Sequence, residues 1–230
     1  MFINHCPFCN SPVNSPASLC PSCMKTAEAE KFDSFAVRCP VCARPLVAAL
    51  YECSSCREGR SHRVYSIFDY RAPFFRHILE QWKFEGRRDY TPLIAEQFLS
   101  ALQRSYPSLQ DIVIVPVPCS AESLKKRKWD QMKDIALYLR RKHGIECSFL
   151  IENARKGGTQ QKTLDRRDRI NASEGKYAIN RKKALKANSS GTLVIIDDIT
   201  TTGSTIRSCI SLLNENGFKK VQAVTLMAEL

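Results

Sequence analysis

The sequence predicts an α/β domain with a doubly wound parallel sheet, preceded by a small, duplicated, cysteine-rich module. Three features support this prediction: paired cysteines near the start, strand-like apolar runs that alternate with amphipathic helical patterns, and an acid pair after one apolar run. Such alternation is typical of a parallel sheet with helices on both faces. We place the module at residues 1–60 and the α/β domain at 61–230, because residues 57–62 are polar and contain Gly59.

The module is an internal duplication. Its cysteines occur twice at identical spacing, as Cys6, Cys9, Cys20 and Cys23 and again as Cys39, Cys42, Cys53 and Cys56. Each unit has two Cys-x-x-Cys pairs, the ligand set of a tetrahedral structural zinc ion. A redox-active Cys-x-x-Cys is the alternative, but four pairs at duplicated spacing do not fit one exchange centre. We predict two structural Zn²⁺ sites. Sequential pairing within each unit is the simplest arrangement, and an interleaved cross-brace is the alternative.

The pattern of apolar residues predicts the elements in order. A short helical spacer is expected at 24–38, between the two cysteine units. Strands are expected at 64–70, 111–115, 148–151, 192–196 and 221–227. The run 111–115 is almost wholly apolar, as in a strand covered on both sides. Residues 153–175 are polar without a clear period, which indicates a long loop. Helices are expected at 92–104, 130–142 and 204–214, and another one carries Phe74, Phe75, Ile78, Leu79 and Trp82 on one face.

The charge of the chain is concentrated in the α/β domain. The net charge is +12, of which residues 1–60 contribute +1, from six basic and five acidic residues, so that +11 remains for 61–230. Basic residues cluster in the runs 125–142 and 155–186. An excess of this size indicates a polyanionic partner, either the phosphates of a small ligand or a nucleic-acid backbone. A solvated basic surface is the alternative interpretation.

Nothing in the sequence predicts secretion or insertion into a membrane. No stretch approaches the roughly 18 apolar residues of a membrane span, and the first residues lack the basic and apolar regions of a signal peptide. We therefore expect a cytoplasmic protein, whose cysteines are metal ligands or free thiols rather than disulfides. Cys119, Cys147 and Cys209 lie outside the repeat and are expected to be small buried hydrophobic residues.

The segment from Leu193 to Thr205 carries most of the functional information. An apolar strand ends in two acids, and a turn rich in hydroxyl side chains then opens a helix. Backbone amides at a helix N-terminus suit a phosphate, and the acids can accept hydrogen bonds from vicinal sugar hydroxyls. A threonine that only caps the helix is the alternative, but two acids and five hydroxyl residues exceed what a cap needs. The predicted binding residues are Asp197, Asp198, Thr201, Thr202, Gly203, Ser204 and Thr205.

This segment resembles the phosphoribosyl-pyrophosphate signature of type I phosphoribosyltransferases, and the whole chain resembles the ComF/ComFC family. The motifs occur in order along nearly all of the chain: the paired cysteines, Tyr70-x-x-Pro73, Lys83-Phe84, Val115-Pro-Val-Pro118, a basic loop ending in Gln131, and the acid pair. The resemblance implies a type I phosphoribosyltransferase fold that binds phosphoribosyl pyrophosphate with Mg²⁺. It assigns Asp197 and Asp198 to the ribose hydroxyls, as the catalytic residues, and Thr201, Thr202, Gly203 and Thr205 to the 5′-phosphate.

The resemblance also implies a role in DNA uptake during natural transformation, with single-stranded DNA and other DNA-uptake proteins as partners. Two basic segments are the expected contacts with pyrophosphate or DNA, and a solvated surface is their alternative. The family usually has Arg-Gly-Phe-Asn-Gln where this chain has Arg127-Lys128-Trp129-Asp130-Gln131. For Trp129, base stacking and local packing are both compatible with the sequence. The expected contact residues are Lys125, Lys126, Arg127, Lys128, Trp129, Arg166, Arg167 and Arg169.

Two functions are consistent with these observations. The first is a protein that handles DNA and in which the phosphoribosyl-pyrophosphate site is a ligand sensor or a relic. The second is an enzyme that transfers the phosphoribosyl group to an unidentified acceptor and releases pyrophosphate. The charge excess favours the first, because +11 is more than one small ligand requires.

Overall fold

The structure is a computed structural model and describes residues 4–15, 18–46, 53–57, 62–154, 176–184 and 191–229. The predicted boundary between residues 60 and 61 lies outside these ranges and stays a prediction. In the module, each cysteine unit begins with a short antiparallel hairpin. Its elements are β1 (Asn4–His5), β2 (Pro12–Val13), α1 (Pro21–Ala29), a 3-10 turn (Phe32–Ser34), β3 (Val37–Arg38), β4 (Pro45–Leu46) and α2 (Ser54–Arg57).

The α/β domain follows the predicted order of strands and helices. Its first half contains β5 (Val64–Asp69), α3 (Pro73–Phe84), α4 (Thr91–Ser105), β6 (Ile112–Pro116), α5 (Ala121–Arg127) and α6 (Gln131–His143). Its second half contains β7 (Ile151–Asn153), β8 (Tyr177–Ile179), α7 (Arg181–Ala184), β9 (Thr192–Thr200), α8 (Ser204–Glu215) and β10 (Val221–Ala228). Short 3-10 turns precede α4 and β6, at Arg88–Tyr90 and Leu109–Asp111.

The central sheet is parallel and has the order β5-β10-β9-β6. Alternate residues of its strands point to opposite faces, as strand geometry requires. Ile114 and Val194 belong to one apolar cluster, which α3, α4 and α6 cover, whereas Val115 and Ile195 belong to a second, which α8 covers. Both faces are therefore packed, and the predicted doubly wound fold is confirmed.

The first cysteine unit shares its core with the α/β domain. Cys6, Cys20, Cys23 and Ala27 belong to the same apolar cluster as the residues beneath α3. The ring of Phe8 lies 4.2 Å from that of Phe74, measured between centroids. The cysteines of the second unit form a small cluster of their own, against Leu46. The second unit contributes Ala43 to the large core, and its Cys42 carbonyl accepts a hydrogen bond of 2.9 Å from the backbone N–H of Val64. The two units therefore differ in where their cysteines pack: those of the first unit lie in the large core, and those of the second lie among themselves.

Two sequence-based expectations about the elements need correction, and one strand was missed. The strand expected at 148–151 is β7, which begins only at Ile151 and pairs with β8 in a separate antiparallel hairpin. β8 was not predicted. The basic loop after β6 contains α5, because Ser120 accepts a hydrogen bond from the backbone of Ser123 and three basic residues lie favourably in its last turn. Most of the predicted loop, residues 155–175, lies outside the described residues.

In the described part of the chain, every helix is too short or too polar to cross a membrane.

Candidate functional site

A cleft of about 260 Å³ lies at the carboxyl edge of the central sheet. This is the edge at which open parallel α/β sheets bind ligands. The ends of β6 and β9 form its floor, and the C-terminal end of α3, the α5–α6 segment and the start of β8 form its walls. Its charged residues are Lys83, Arg127, Lys176, Asp130, Asp197 and Asp198.

The predicted acid pair lies inside this cleft. Asp197 and Asp198 are part of β9 and half-buried, whereas the sequence suggested the tip of the strand. Beyond Ile196, β9 keeps β10 as its partner but no longer pairs with β6, which ends at Pro116. The strand edge that carries the two acids therefore opens into the cleft.

The two carboxylates have different surroundings. Asp198 Oδ2 lies 2.5 Å from Lys83 Nζ, and both side chains are about one-sixth exposed. Asp197 Oδ1 accepts a hydrogen bond of 2.9 Å from the backbone N–H of Asp198. Burial and the neighbouring Asp198 charge raise the pKa of Asp197 to about 8. Near neutral pH, Asp197 therefore largely keeps its proton, while Lys83 forms its ion pair with Asp198.

The hydroxyl-rich turn lies beside the acids and leads into α8. Gly203 precedes the helix with φ +72°, a conformation that residues with a side chain rarely adopt. A Cβ at this position would also meet the Arg207 guanidinium at 3.1 Å. Arg207 Nη1 donates to the carbonyl of Thr202 at 2.7 Å and so folds over the turn. Thr201, Thr202 and Ser204 are exposed, and Thr205 lines the cleft.

The segment that joins α5 to α6 has Lys128 where the family usually has glycine, and its backbone still adopts a conformation that glycine favours. Lys128 ends α5 in the left-handed region, with φ +66°, which glycine adopts at no cost. Lys128 therefore takes up the conformation expected of the family's usual glycine. Asp130 caps α6 by accepting from the backbone N–H of Lys133, at 3.1 Å, and also accepts from Cys119 N–H, at 3.2 Å.

The structure favours packing over base stacking for Trp129. Its side chain is 6% exposed, and its ring lies edge-on to that of Trp82 with the centroids 5.3 Å apart. The Arg88 guanidinium lies 5.1 Å from its ring centroid. Because the ring is buried among these groups, it presents no free face to a nucleic-acid base.

The predicted basic contacts divide into three groups. Arg127 lines the cleft, and its Nη1 donates to Gln131 Oε1 at 2.7 Å. Lys125, Lys126 and Lys128 are exposed and lie outside the cleft lining. Arg166, Arg167 and Arg169 lie outside the described residues. The structure thus brings Arg127 to the acid pair and leaves the three lysines on the surface nearby.

Several residues of the cleft were not assigned a role from the sequence. The sequence named Lys83 only as part of the Lys83-Phe84 motif, because the apolar spacing of α3 does not show that this side chain reaches Asp198. Gln131 is 3% exposed, and its Nε2 has no hydrogen-bond partner among the described residues. Arg127 fixes the amide oxygen, so Gln131 is a buried polar residue of the cleft wall whose amide nitrogen is left without a partner among the described residues. Burial raises the pKa of Tyr177, on β8, to about 12, so its hydroxyl is a neutral donor.

The cysteines form two closed groups, and pairing is sequential within each unit. The four sulfur atoms of each group lie within 4.8 Å of one another. Cys42 and Cys53 have their sulfurs 3.5 Å apart, and Cys39 and Cys56 have theirs 3.7 Å apart. A tetrahedral zinc ion with Zn–S bonds of about 2.3 Å holds sulfurs about 3.8 Å apart. The first unit has a similar separation, 3.5 Å between Cys9 and Cys20, so both groups fit a zinc ion.

In the second unit, backbone donors favour the thiolate form of Cys39, whereas burial raises the pKa of Cys42 to about 12. Burial alone would raise the pKa of Cys39, but backbone N–H groups of Cys42, Cys53 and Val41 lower it to about 6. The N–H of Cys53 lies 3.4 Å from the sulfur of Cys39. Such a set of N–H donors is suited to a sulfur that carries negative charge.

Two comparisons relate the chain to known proteins. Residues 98–230 match the family model of the phosphoribosyl transferase domain. The chain is 27% identical over 208 residues to the competence protein ComFC of Streptococcus pneumoniae (strain ATCC BAA-255 / R6), which covers 90% of this chain and 80% of that protein.

Two solved structures also match. The allosteric regulatory enzyme of purine biosynthesis is 20% identical, with a TM-score of 0.35, over 54% of this chain and 23% of that one. Adenine phosphoribosyltransferase from Leishmania tarentolae is 14% identical, with a TM-score of 0.34, over 65% of this chain and 75% of that one.

Proposed function

The chain belongs to the phosphoribosyl transferase domain family, in agreement with its resemblance to the ComF/ComFC family, and on this premise we propose that its cleft binds phosphoribosyl pyrophosphate with Mg²⁺. One observation carries the proposal most directly. Asp197 and Asp198 lie at the carboxyl edge of the sheet, next to a hydroxyl-rich turn that opens α8. A sugar and its 5′-phosphate need these two kinds of group side by side.

The described residues suggest a role for each part of the ligand. Asp197 and Asp198 accept hydrogen bonds from the ribose hydroxyls. The turn from Thr201 to Thr205 donates its hydroxyl and backbone N–H groups to the 5′-phosphate, near the positive end of the α8 dipole. Arg127 and Lys176 face the pyrophosphate. Mg²⁺ prefers oxygen ligands, which the acid pair and the ligand's own oxygens offer, and it would neutralise charge on the pyrophosphate.

We further propose that the protein handles single-stranded DNA, as a competence-type protein. The chain is similar to a protein named for competence, and its positive charge extends well beyond the cleft. Lys125, Lys126 and Lys133 are exposed beside it, and Arg140 and Arg141 are exposed at the far end of α6. A backbone of phosphates can follow such a surface without base-specific contacts. Contacts with other DNA-uptake proteins and a cytoplasmic location stay predictions.

Catalysis is the second candidate function. Lys83, Arg127 and Lys176 give the cleft three cations, which could stabilise a pyrophosphate leaving group while the phosphoribosyl group passes to an acceptor. Release of pyrophosphate from phosphoribosyl pyrophosphate, measured across a panel of nucleobase and amine acceptors with and without single-stranded DNA, tests this candidate. Turnover with one acceptor supports the enzyme, and no turnover in a protein that binds the ligand favours a sensor.

Two Zn²⁺ ions complete the proposal. They would occupy the Cys6–Cys23 and Cys39–Cys56 groups as structural ions, since all four positions around each ion are taken by cysteine.

Calorimetry with Mg²⁺ and phosphoribosyl pyrophosphate tests the binding site. Replacing both Asp197 and Asp198 by asparagine should weaken binding tenfold or more, because it removes the negative charge that the acid pair offers to the ligand and its Mg²⁺, and a hydrogen bond to a charged group contributes about 1.5–3 kcal/mol. Asp111→Asn is the matched control, because Asp111 is exposed at the opposite edge of the sheet. Unchanged affinity in the double variant, in folded protein, would remove the acid pair from the site.

A further inference from the structure

Helix α3 contacts both the first cysteine unit and the acid pair. At its N-terminus, the carboxylate of Glu30 accepts hydrogen bonds from the backbone N–H groups of Phe74, at 2.9 Å, and Phe75, at 2.8 Å. At its other end, Lys83 Nζ lies 2.5 Å from Asp198 Oδ2. One helix of twelve residues therefore joins a carboxylate of the module to the proposed binding site.

Glu30 caps the N-terminus of α3, and α3 has no capping residue of its own. Ala72, the residue before the helix, has no side chain that could cap it, and the first turn contains no acidic residue. The first N–H groups of a helix lack partners inside the helix, and a negative charge there also interacts favourably with the helix dipole. Because the two oxygens of Glu30 take two successive N–H groups, they fix both the position and the rotation of this helix end.

The first cysteine unit, in turn, fixes Glu30. Glu30 follows directly on α1, whose buried residues are Cys23, a predicted metal ligand, and Ala27, which is 1% exposed. Its neighbour Lys31 forms a backbone bridge with Phe68 of β5. The backbone at Glu30 is thus held between the cysteine group and the central sheet.

The body of α3 is suited to carrying a displacement from one end to the other. Its side chains Phe75, Ile78, Leu79 and Trp82 are at most 1% exposed, so the helix packs as a rigid element. At 1.5 Å per residue, Phe74 and Lys83 lie roughly 13 Å apart along the axis. We therefore expect a change in how the N-terminus is held to be passed along the helix to the ammonium group of Lys83.

We propose that Glu30 is a positioning residue that places Lys83 against Asp198, so that the first cysteine unit helps to set the affinity of the cleft for its polyanionic ligand. This inference rests on the proposed function. Lys83 is one of three cations that line the cleft, against three carboxyl groups. If Lys83 moves away from Asp198, the acid pair loses its nearest positive charge and the cleft becomes less favourable for a phosphorylated ligand.

A double-mutant cycle on the full-length protein tests the inference. The dissociation constant of Mg²⁺–phosphoribosyl pyrophosphate is measured by calorimetry for wild type, Glu30→Gln, Lys83→Met and the double variant, at a temperature where each is folded. We expect Lys83→Met to weaken binding about tenfold or more, as for loss of a hydrogen bond to a charged group, and Glu30→Gln to weaken it by a few-fold. The double variant should bind no more weakly than Lys83→Met alone, because the effect of Glu30 passes through Lys83.

Glu80→Gln is the matched control, because Glu80 lies on α3 itself but pairs with Arg76 on the helix surface instead of capping the helix or contacting the acid pair. It should leave the affinity unchanged. Additive effects in the cycle, or a Glu30→Gln protein that is less stable but binds as wild type does, would overturn the inference and leave Glu30 a purely structural residue.

A second measurement separates this inference from the proposed function. The ¹⁵N resonance of the Lys83 ammonium group, assigned by its loss in Lys83→Met, should shift or broaden in Glu30→Gln without any ligand present. If wild type does not bind phosphoribosyl pyrophosphate, the proposed function fails while this signal still reports on positioning. A resonance that is identical in both proteins would overturn the positioning role.

Discussion

The backbone N–H of Asp198 donates a hydrogen bond of 2.9 Å to the side chain of the preceding residue, Asp197. This bond turns the Asp197 carboxyl back toward its own strand, while the Asp198 carboxylate extends to Lys83. Two adjacent acids of one strand thus have one partner each. The bond favours the charged form of Asp197, but burial and the neighbouring charge outweigh it, since its pKa is raised to about 8.

This raised pKa predicts how stability depends on pH. The unfolded chain releases the Asp197 proton near its ordinary pKa of about 3.9, whereas the folded protein holds it until about pH 8. The contribution of the protonated Asp197 to the free energy of unfolding is therefore fully present below about pH 4 and is lost as the pH rises to 8. Asp197→Asn cannot titrate, so its melting temperature relative to wild type should rise between pH 5 and pH 9, by several degrees.

Melting curves of both proteins at pH 5, 7 and 9 check this prediction. Asp111→Asn serves as the control, because it removes an exposed carboxyl far from the cleft. Its melting temperature relative to wild type should stay constant over the range. If Asp197→Asn behaves in the same way, the acid pair does not hold a proton at neutral pH.

A second prediction concerns the backbone at Lys128. With φ +66°, this residue carries the cost of a left-handed conformation, about 1–2 kcal/mol for a residue with a Cβ. Lys128→Gly removes that cost but adds flexibility to the unfolded chain, so we expect a net stabilisation of about 0.5–1 kcal/mol. Lys128→Ala is the matched control, since it removes the same charge but keeps the strain. Urea unfolding of the three proteins should place only the glycine variant above wild type.

The fold was largely predictable, because the spacing of apolar residues along the sequence indicates each helix or strand without knowledge of the rest of the chain. The buried face of α3 was predicted residue by residue, and all five apolar residues are buried. α5 was missed because its sequence is mostly charged, and only the Ser120 cap marks where it begins. β7 and β8 are short and pair with each other, and a three-residue strand has too few side chains to show a period of two.

The site was predictable only where its residues are neighbours in sequence. The acid pair and the hydroxyl-rich turn follow one another, so one segment shows both. Lys83 reaches Asp198 from more than a hundred residues earlier, and no local pattern marks that contact. Trp129 is a case that the sequence left open: its basic neighbours were compatible with base stacking or with local packing, and packing against Trp82 decides its position. Tertiary contacts of this kind are set by the fold as a whole.

A third prediction contrasts equivalent cysteines of the two units. Cys6 and Cys39 occupy the same position in the repeat and are 2% and 1% exposed. Cys6 shares the core of the α/β domain, whereas Cys39 packs within a cluster of its own unit. Replacing either by serine should open one metal site. Cys6→Ser should lower the melting temperature of the whole protein, and Cys39→Ser should unfold mainly its own unit.

Elemental analysis should accompany the melting curves, with two zinc ions in wild type and one in each variant. Binding of phosphoribosyl pyrophosphate should persist in Cys39→Ser. Freshly reduced wild-type protein that is folded but contains no zinc would contradict the metal assignment. Equal destabilisation by the two serine substitutions would contradict the difference in where the cysteines of the two units pack.

The last prediction concerns DNA. If about five phosphates are neutralised, the logarithm of the affinity for single-stranded DNA should fall against the logarithm of salt concentration with a slope near −3 to −4. Changing Lys125 and Lys126 to glutamate should flatten this slope, because both are exposed beside the cleft. Little sequence preference is expected, since backbone contacts do not distinguish bases. Phosphoribosyl pyrophosphate should compete in part, because Arg127 lies in the same helix as the two lysines.

Changing Lys219 and Lys220 to glutamate is the matched control for this charge reversal. Both are exposed and lie just before β10, at the opposite edge of the parallel sheet from the cleft. The net charge changes equally in the two double variants, so any difference between them reports on position rather than on total charge. Equal losses would mean that DNA is attracted only by the overall charge of the protein. A gel-shift titration at low salt that finds no complex, with folded and metallated wild type, would reject DNA binding and leave the enzyme as the better-supported function.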